Sequence, residues 1–334
     1  MTKIKRILII TLITMLCVSC QKTDEVYKNE SEIDNVKRDE LNAMQAHAVA
    51  SDGNYIYMEL GGLVYRIDAK NNIVEINCDN LLCDHEGELC SARLPDYPGA
   101  YNLVRDDDSV YVLGNEIYKI GKNSKKEVGK GYYGDYGCKT LFNDYIGFFK
   151  EPELYVVEAI KSGKEIQRFE DITGFIQGNF YYNNNIYIIT SEQRLVRLNL
   201  ETGEIELLEK KGATRASLYN GFVYYVKVSE LTDSNQLIKL NPNTLEKEVI
   251  TEGVFYYNMQ GDTLYYSTYP ERKLFVSELN GSNPEEILLP DFFEAGGIYA
   301  FSELDTVLVT GQDIEEYYVI DKNNKIDYDN KIVF

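Results

Sequence analysis

Residues 185–208 read NIYIITSEQRLVRLNLETGEIELL. Three runs in which apolar residues alternate with others, 186–189, 195–198 and 205–208, are separated by a polar loop and by the turn Glu-Thr-Gly. Period-two alternation marks half-buried strands. Glycine supplies the positive φ that a tight turn needs. A further short run, NFYY at 179–182, precedes the stretch. One unit is therefore four short antiparallel strands.

The unit recurs along the chain. NYIYMELGGLVYRIDAKNNIVEIN begins at Asn54, SVYVLGNEIYKIGKNSKKEVG at Ser109 and TLYYSTYPERKLFVSELNGSNPEEILL at Thr263. Each has its own Asn- or Gly-bearing turn. The second-strand anchors Ile56, Val110, Ile146, Ile186, Val223, Leu264 and Val307 are spaced by 54, 36, 40, 37, 41 and 43 residues. Four strands at a period near forty is the pattern of a β-propeller. The expected fold is all-β, seven four-stranded blades over 46–334, with six or eight blades as alternatives. A stack of β-sandwiches predicts no such period. The 28 tyrosines suit pleated, half-buried surfaces. The last unit ends in KIDYDNKIVF, and two closures of the ring stay open: residues 331–334, or a piece of the N-terminal segment.

The sixth unit resembles the YWTD-type blades of low-density lipoprotein receptor propellers in its tyrosine-bearing strand, loop and LFVSELNGSN stretch, without the Trp and Asp of that pattern. That resemblance implies a fold and no receptor function.

The N-terminus carries Lys3, Lys5 and Arg6, then an apolar run from Ile7 to Leu16. The run is too short to span a bilayer and reads as an export signal. Val18-Ser19-Cys20 looks like the lipobox of bacterial lipoproteins. The resemblance implies cleavage after residue 19 and lipidation of Cys20, hence a lipid-anchored protein on the extracytoplasmic face of the membrane. A secreted protein cut nearby is the alternative. Residues 20–45 are polar and read as a spacer. The formal charge of −20 becomes −23 once Lys3, Lys5 and Arg6 are removed. Such an acidic surface repels nucleic acid and anionic lipid, so the membrane is expected to be met through the anchor only.

The 54-residue spacing exceeds the mean of the other five, 39.4, by about the length of residues 78–92. This insert falls after blade 1's outer strand (73–77) and before blade 2's inner strand (100–105). It reads CDNLLCDHEGELC over 78–90, placing Cys78, Cys83, His85 and Cys90 in a C-x4-C-x-H-x4-C pattern. Three thiolates and an imidazole fill a tetrahedral zinc sphere and leave no position for a reactive water. A structural zinc is thus one reading. A disulfide is the other, since exported thiols oxidise, and a third leaves the thiols free. An export signal with lipobox, tyrosine-rich blades and this insert together resemble a group of bacterial surface propeller lipoproteins built on a domain of unknown function (DUF5050-like). That resemblance implies fold and location and brings no activity.

Catalytic signs are few. The absence of Trp from the sequence excludes the Trp-bearing boxes of sialidases and the docking motifs of quinoprotein propellers. His47, the one histidine outside the insert, falls where blade 1's inner strand is expected, and a structural role is its plain reading. Asp106, Asp107 and Asp108 lack the spacing of a calcium loop and read as a solvated turn. Tyr97, Tyr101 and Tyr269 fall near loops on the insert's face and are candidate binding residues. The expected function is a non-enzymatic cell-surface binding or scaffold module for a protein, peptide or glycan. The rival is an extracytoplasmic hydrolase or lyase acting on polysaccharide, which would need converging carboxylates.

Overall fold

The computed structural model describes residues 49–95 (without 72 and 88), 102–130 (without 107 and 108), 139–173, 179–228, 234–290, 293–311 and 316–320, with 324, 326, 332 and 333. The expected signal segment 1–19, Cys20, the expected spacer 20–45, His47, Asp107 and Asp108 lie outside the described residues.

Seven four-stranded antiparallel sheets are present, each built from strands consecutive in sequence. They are blades 1 (49–76), 2 (102–130), 3 (140–170), 4 (179–209), 5 (213–252), 6 (254–287) and 7 (295–333). All seven spacing anchors lie in second strands and are at most 1% exposed. The period therefore records the residue that each blade buries deepest.

First strands of successive blades touch, as blade 1's does with blade 2's and blade 6's with blade 7's. Fourth strands carry many exposed residues, as in Ile73–Ile76 and Lys247–Glu252. First strands are thus innermost and fourth strands form the rim.

The hydrophobic core is divided among the gaps between blades. Ala50, Tyr57 and Val64 of blade 1 pack on Leu103, Val110 and Val112 of blade 2. Phe149 and Tyr155 of blade 3 pack on Ile186 and Ile188 of blade 4. Seven such clusters link each blade to the next, and the seventh joins Val49, Ile56, Met58 and Ile67 of blade 1 to Leu304, Leu308 and Tyr317 of blade 7. A single twisted sheet has two apolar faces and buries neither alone, so the blades stabilise one another by stacking.

Turn chemistry follows the sequence. Gly61 and Gly62 both take positive φ in the two-residue turn between blade 1's second and third strands. Asn199 and Asn241 close third strands by accepting hydrogen bonds from the backbone N–H groups two and three residues on.

The ring closes with Ile332–Val333 as blade 7's fourth strand, paired to Glu316 and Tyr317. Of the two closures open in the sequence, the C-terminal one is realised. A charge pair supports the junction: Arg105 of blade 2 reaches past the first turn of blade 1 to Glu303 of blade 7. Gly53 in that turn has φ +85, and a Cβ there would lie 2.7 Å from a Glu303 carboxylate oxygen. A side chain there would have to displace that carboxylate as well as adopt a positive φ, which glycine takes up freely.

Candidate functional site

The insert follows blade 1's rim strand. Asn77 N–H donates to the Val64 carbonyl at 2.9 Å. The chain then leaves the sheet and returns at Ala92–Leu94. There the Val64 N–H donates to Ala92 O and the Leu94 N–H to Gly62 O, both at 2.8 Å, with Leu63 bridged to Arg93. Residues 92–94 thus resume the track that 73–77 vacated. The outer strand ends at Ile76 and the excursion follows it; beyond the excursion Ala92 is buried and Leu94 is buried in the blade 1–2 core. Apolar burial, which a spacing count does not register, draws those two residues back to the sheet.

Within the excursion the four predicted side chains converge. The ligand atoms of Cys78, Cys83, His85 and Cys90 all lie within 4.8 Å of one another. His85 Nδ1 is 3.4 Å from Cys90 Sγ, and the His85 N–H points to Cys83 Sγ at 3.4 Å. Local turns aim them: Cys83 N–H donates to Asn80 O and Cys90 N–H to Gly87 O, both at 3.0 Å. His85 itself has φ +61, a conformation that costs a residue with a side chain about 1–2 kcal/mol. At Cys78, burial pushes the thiol up. The Asn80 N–H and the side chains of Cys90, Ser91 and Cys83 outweigh it and hold the thiol below its ordinary range.

Around a tetrahedral zinc with bonds of about 2.0–2.3 Å, neighbouring donors stand about 3.8 Å apart. The observed separations come within about an ångström of that, and three sulfurs with one imidazole are a zinc donor set. The residues fit the metal. Cys78, Cys83 and Cys90 are free thiols, so among the described residues the disulfide reading is not realised.

The outer surface of the excursion is unusual. Leu81, Leu82 and Leu89 are 100%, 95% and 103% exposed. Asp79, Asp84 and Glu86 beside them are exposed too.

Of the candidate tyrosines, Tyr97 and Tyr101 lie outside the described residues. Tyr269 is 47% exposed and belongs to a cluster that sequence reasoning missed. Its ring stands 5.9 Å from that of Phe255, which meets Tyr256 edge-on at 4.5 Å. Two guanidinium groups join them. Arg272 lies 3.4 Å over the Phe255 ring, and Arg215 lies 4.4 Å from Phe255 and 4.3 Å from Tyr256.

Two bulges in adjacent inner strands create this cluster. Pairing shifts between Thr214 and Ser217 in blade 5, and between Val254 and Tyr257 in blade 6. Arg215, Phe255 and Tyr256 are the residues thrown out of register, as bulged residues are. The signal in the sequence was faint: an arginine on a strand otherwise free of charge, and another in the loop TYPER.

Among the described residues, no helix is long and apolar enough to cross a membrane.

No family model matches the chain, and no curated protein matches it. Solved structures do. The extracellular domain of a one-component system from B. thetaiotaomicron superposes with a TM-score of 0.60 at 11% identity, over 84% of this chain. The present chain spans 41% of that one's length. An oligogalacturonate lyase in complex with manganese gives 0.56 at 11% identity, over 81% of this chain and 86% of the lyase. A chain of a mitotic checkpoint complex gives 0.57 at 9% identity, over 81% of this chain and 88% of that one. Proteins so unlike in role share with this chain the propeller fold and nothing more specific.

Proposed function

We propose that this protein is a non-enzymatic binding module, held outside the cytoplasm by a lipid on Cys20. In this reading it is a bacterial surface propeller lipoprotein of the DUF5050-like type. A structural zinc on Cys78, Cys83, His85 and Cys90 stiffens the insert, whose outer surface docks a protein partner.

One observation carries the reading: Leu81, Leu82 and Leu89 stand fully in water on a loop whose interior is fixed by four converging ligand groups. Single exposed leucines are ordinary. Three on one short loop mark a contact surface. Burying each contributes about 1.5–3 kcal/mol in a complex. Rigidity matters as well, because a loop already ordered loses little entropy on binding. The flanking carboxylates of Asp79, Asp84 and Glu86 select the partner. They repel an anionic bilayer and suit an apolar pocket rimmed by Lys and Arg.

The test uses the mature chain in detergent. A partner is cross-linked at the cell surface, identified, purified and titrated against the wild type and against Leu81→Ser/Leu82→Ser/Leu89→Ser. The reading expects binding to fall by at least about a hundredfold in the variant, given those burial energies. Unchanged affinity sinks it, as does turnover of a polysaccharide by the wild type with no protein captured.

A further inference from the structure

We propose that Arg215 and Arg272, with the rings of Phe255, Tyr256 and Tyr269, form a second binding site, specific for a ligand that carries a carboxylate on a ring able to stack against an aromatic face. The chain holds 54 acidic residues against 34 lysines and arginines, so an arginine readily finds a carboxylate. Arg66, Arg105, Arg168, Arg194 and Arg197 each pair with a glutamate. Among the described residues, neither Arg215 nor Arg272 does. Their guanidinium carbons stand no more than about 8 Å apart, because both face the Phe255 ring. Like charges that close repel, and an anion within reach of both would relieve the repulsion.

The backbone adds a second observation. Arg215 and Arg272 have φ of +52 and +55, in the region where a side chain costs about 1–2 kcal/mol. Most other positive-φ positions here are Gly, Asn or Asp. The Arg215 bulge is also tied down from below. The hydroxyl of fully buried Tyr257 lies 2.7 Å from the Arg215 carbonyl, to which it can donate, and 2.9 Å from the Ser217 hydroxyl. Non-glycine residues held in such conformations by surrounding structure concentrate at ligand sites.

The geometry selects the ligand class. A guanidinium lying over a ring can still use its in-plane N–H donors in a fork that matches a planar carboxylate; Arg215 Nη1 also reaches Thr214 Oγ1, at a long 3.5 Å. Half-exposed Tyr269 offers a face to a ring attached to that carboxylate. A hexuronate sugar or an aromatic acid has this chemistry. Arg215 starts an inner strand and Arg272 lies in the loop between second and third strands. In antiparallel blades both positions fall on the face that carries the insert, so a ligand here would lie on the same side as the leucine loop, on blades 5 and 6, three and two blades from blade 1 around the closed ring.

Calorimetry on the full-length protein in detergent tests this, with the galacturonic acid trimer and benzoate as probes and the neutral galactose trimer and benzamide as controls. At least one carboxylated ring should bind, about tenfold or more tighter than its neutral counterpart, as expected for charge-assisted pairs. Arg215→Gly and Arg272→Gly, which keep the positive φ, should each weaken it by about tenfold or more. The leucine variants should leave it unchanged, which separates this site from protein docking. Should a glycine variant fail to fold, the salt dependence of the wild type decides, since binding through exposed charge weakens as salt rises. Binding by neither acid, equal binding of the neutral rings, retention of affinity in folded glycine variants, or indifference to salt would each overturn the site.

Discussion

The gap between blades 4 and 5 and the excursion from blade 1 fix their residues by opposite means. In the gap, Tyr187, Leu195, Leu218 and Tyr225 are packed almost without exposure. The polar Glu209 beside them takes part in a complete network. It accepts from Tyr225 at 2.9 Å, Lys247 at 3.0 Å and Lys227 at 3.2 Å. In the excursion, the leucines face solvent and the interior consists of three sulfurs and an imidazole. The gap buries apolar area and belongs to the global fold. The excursion makes few such contacts and brings together four side chains that could hold a metal. Stability should therefore respond strongly to changes in the gaps and weakly to changes in the excursion.

The most severe break is a cavity in a gap. Tyr57→Ala, at a fully buried position shared by blades 1 and 2, should cost about 3–5 kcal/mol in chemical denaturation. A loss under about 1 kcal/mol would contradict the view that the gaps carry the fold.

The next effect is a pH dependence. Burial pushes the Glu209 carboxyl up, but hydrogen bonds from Lys247, Tyr225 and Lys227 outweigh it and bring it down to about 2. A depressed carboxylate stabilises the fold fully above its ordinary value of 4.5 and loses that contribution as pH falls toward 2. At most about 3 kcal/mol should disappear over that window, at 1.36 kcal/mol per unit. Denaturation curves at pH 6 and pH 3 measure it. Glu209→Gln should reduce the difference between them, and an equal pH slope in that variant would assign the effect elsewhere.

Metal removal sharpens the contrast. The purified protein should hold one zinc per chain, lost in Cys83→Ser or His85→Ala. Chelation should open residues 78–91 to proteolysis while the global unfolding free energy moves by less than about 1 kcal/mol, because local opening and global unfolding are separate equilibria. Loss of the whole fold on chelation would show that the excursion supports the ring. Zinc-free folded protein with an intact loop would remove the metal from the account.

The smallest effect should come from Leu81→Ser. A side chain already in water contributes little to folding, so stability should stay within about 0.5 kcal/mol. A larger loss would mean that the leucines pack against the protein itself.

How much of this was legible depends on the range of the interaction concerned. The alternation of Ile186, Ile188, Val196 and Leu198, and the turn residues at Asn199 and Gly203, are decided within a few residues of chain. They therefore appear in the sequence as a pattern. So do the four metal-site residues, which lie within thirteen positions and need only two tight turns to meet. Blade count and the convergence of Cys78, Cys83, His85 and Cys90 were readable for that reason. Arg215 and Arg272 were not, being 57 residues apart. Nothing local distinguishes them from surface charges. Bulges in two neighbouring strands and the stacking of blade 6 on blade 5 bring them to one ring.

The amino-acid order alone determined four strands per unit, their sevenfold repetition and the spacing of the sulfur and imidazole donors, since strand alternation and turn preference act at short range. Tertiary structure decided that residues 332–333 complete the ring, that Ala92 and Leu94 return to blade 1's rim, and that two arginines meet one aromatic ring. Each of these depends on which surfaces are buried when blades stack, a long-range choice that no short stretch of chain encodes.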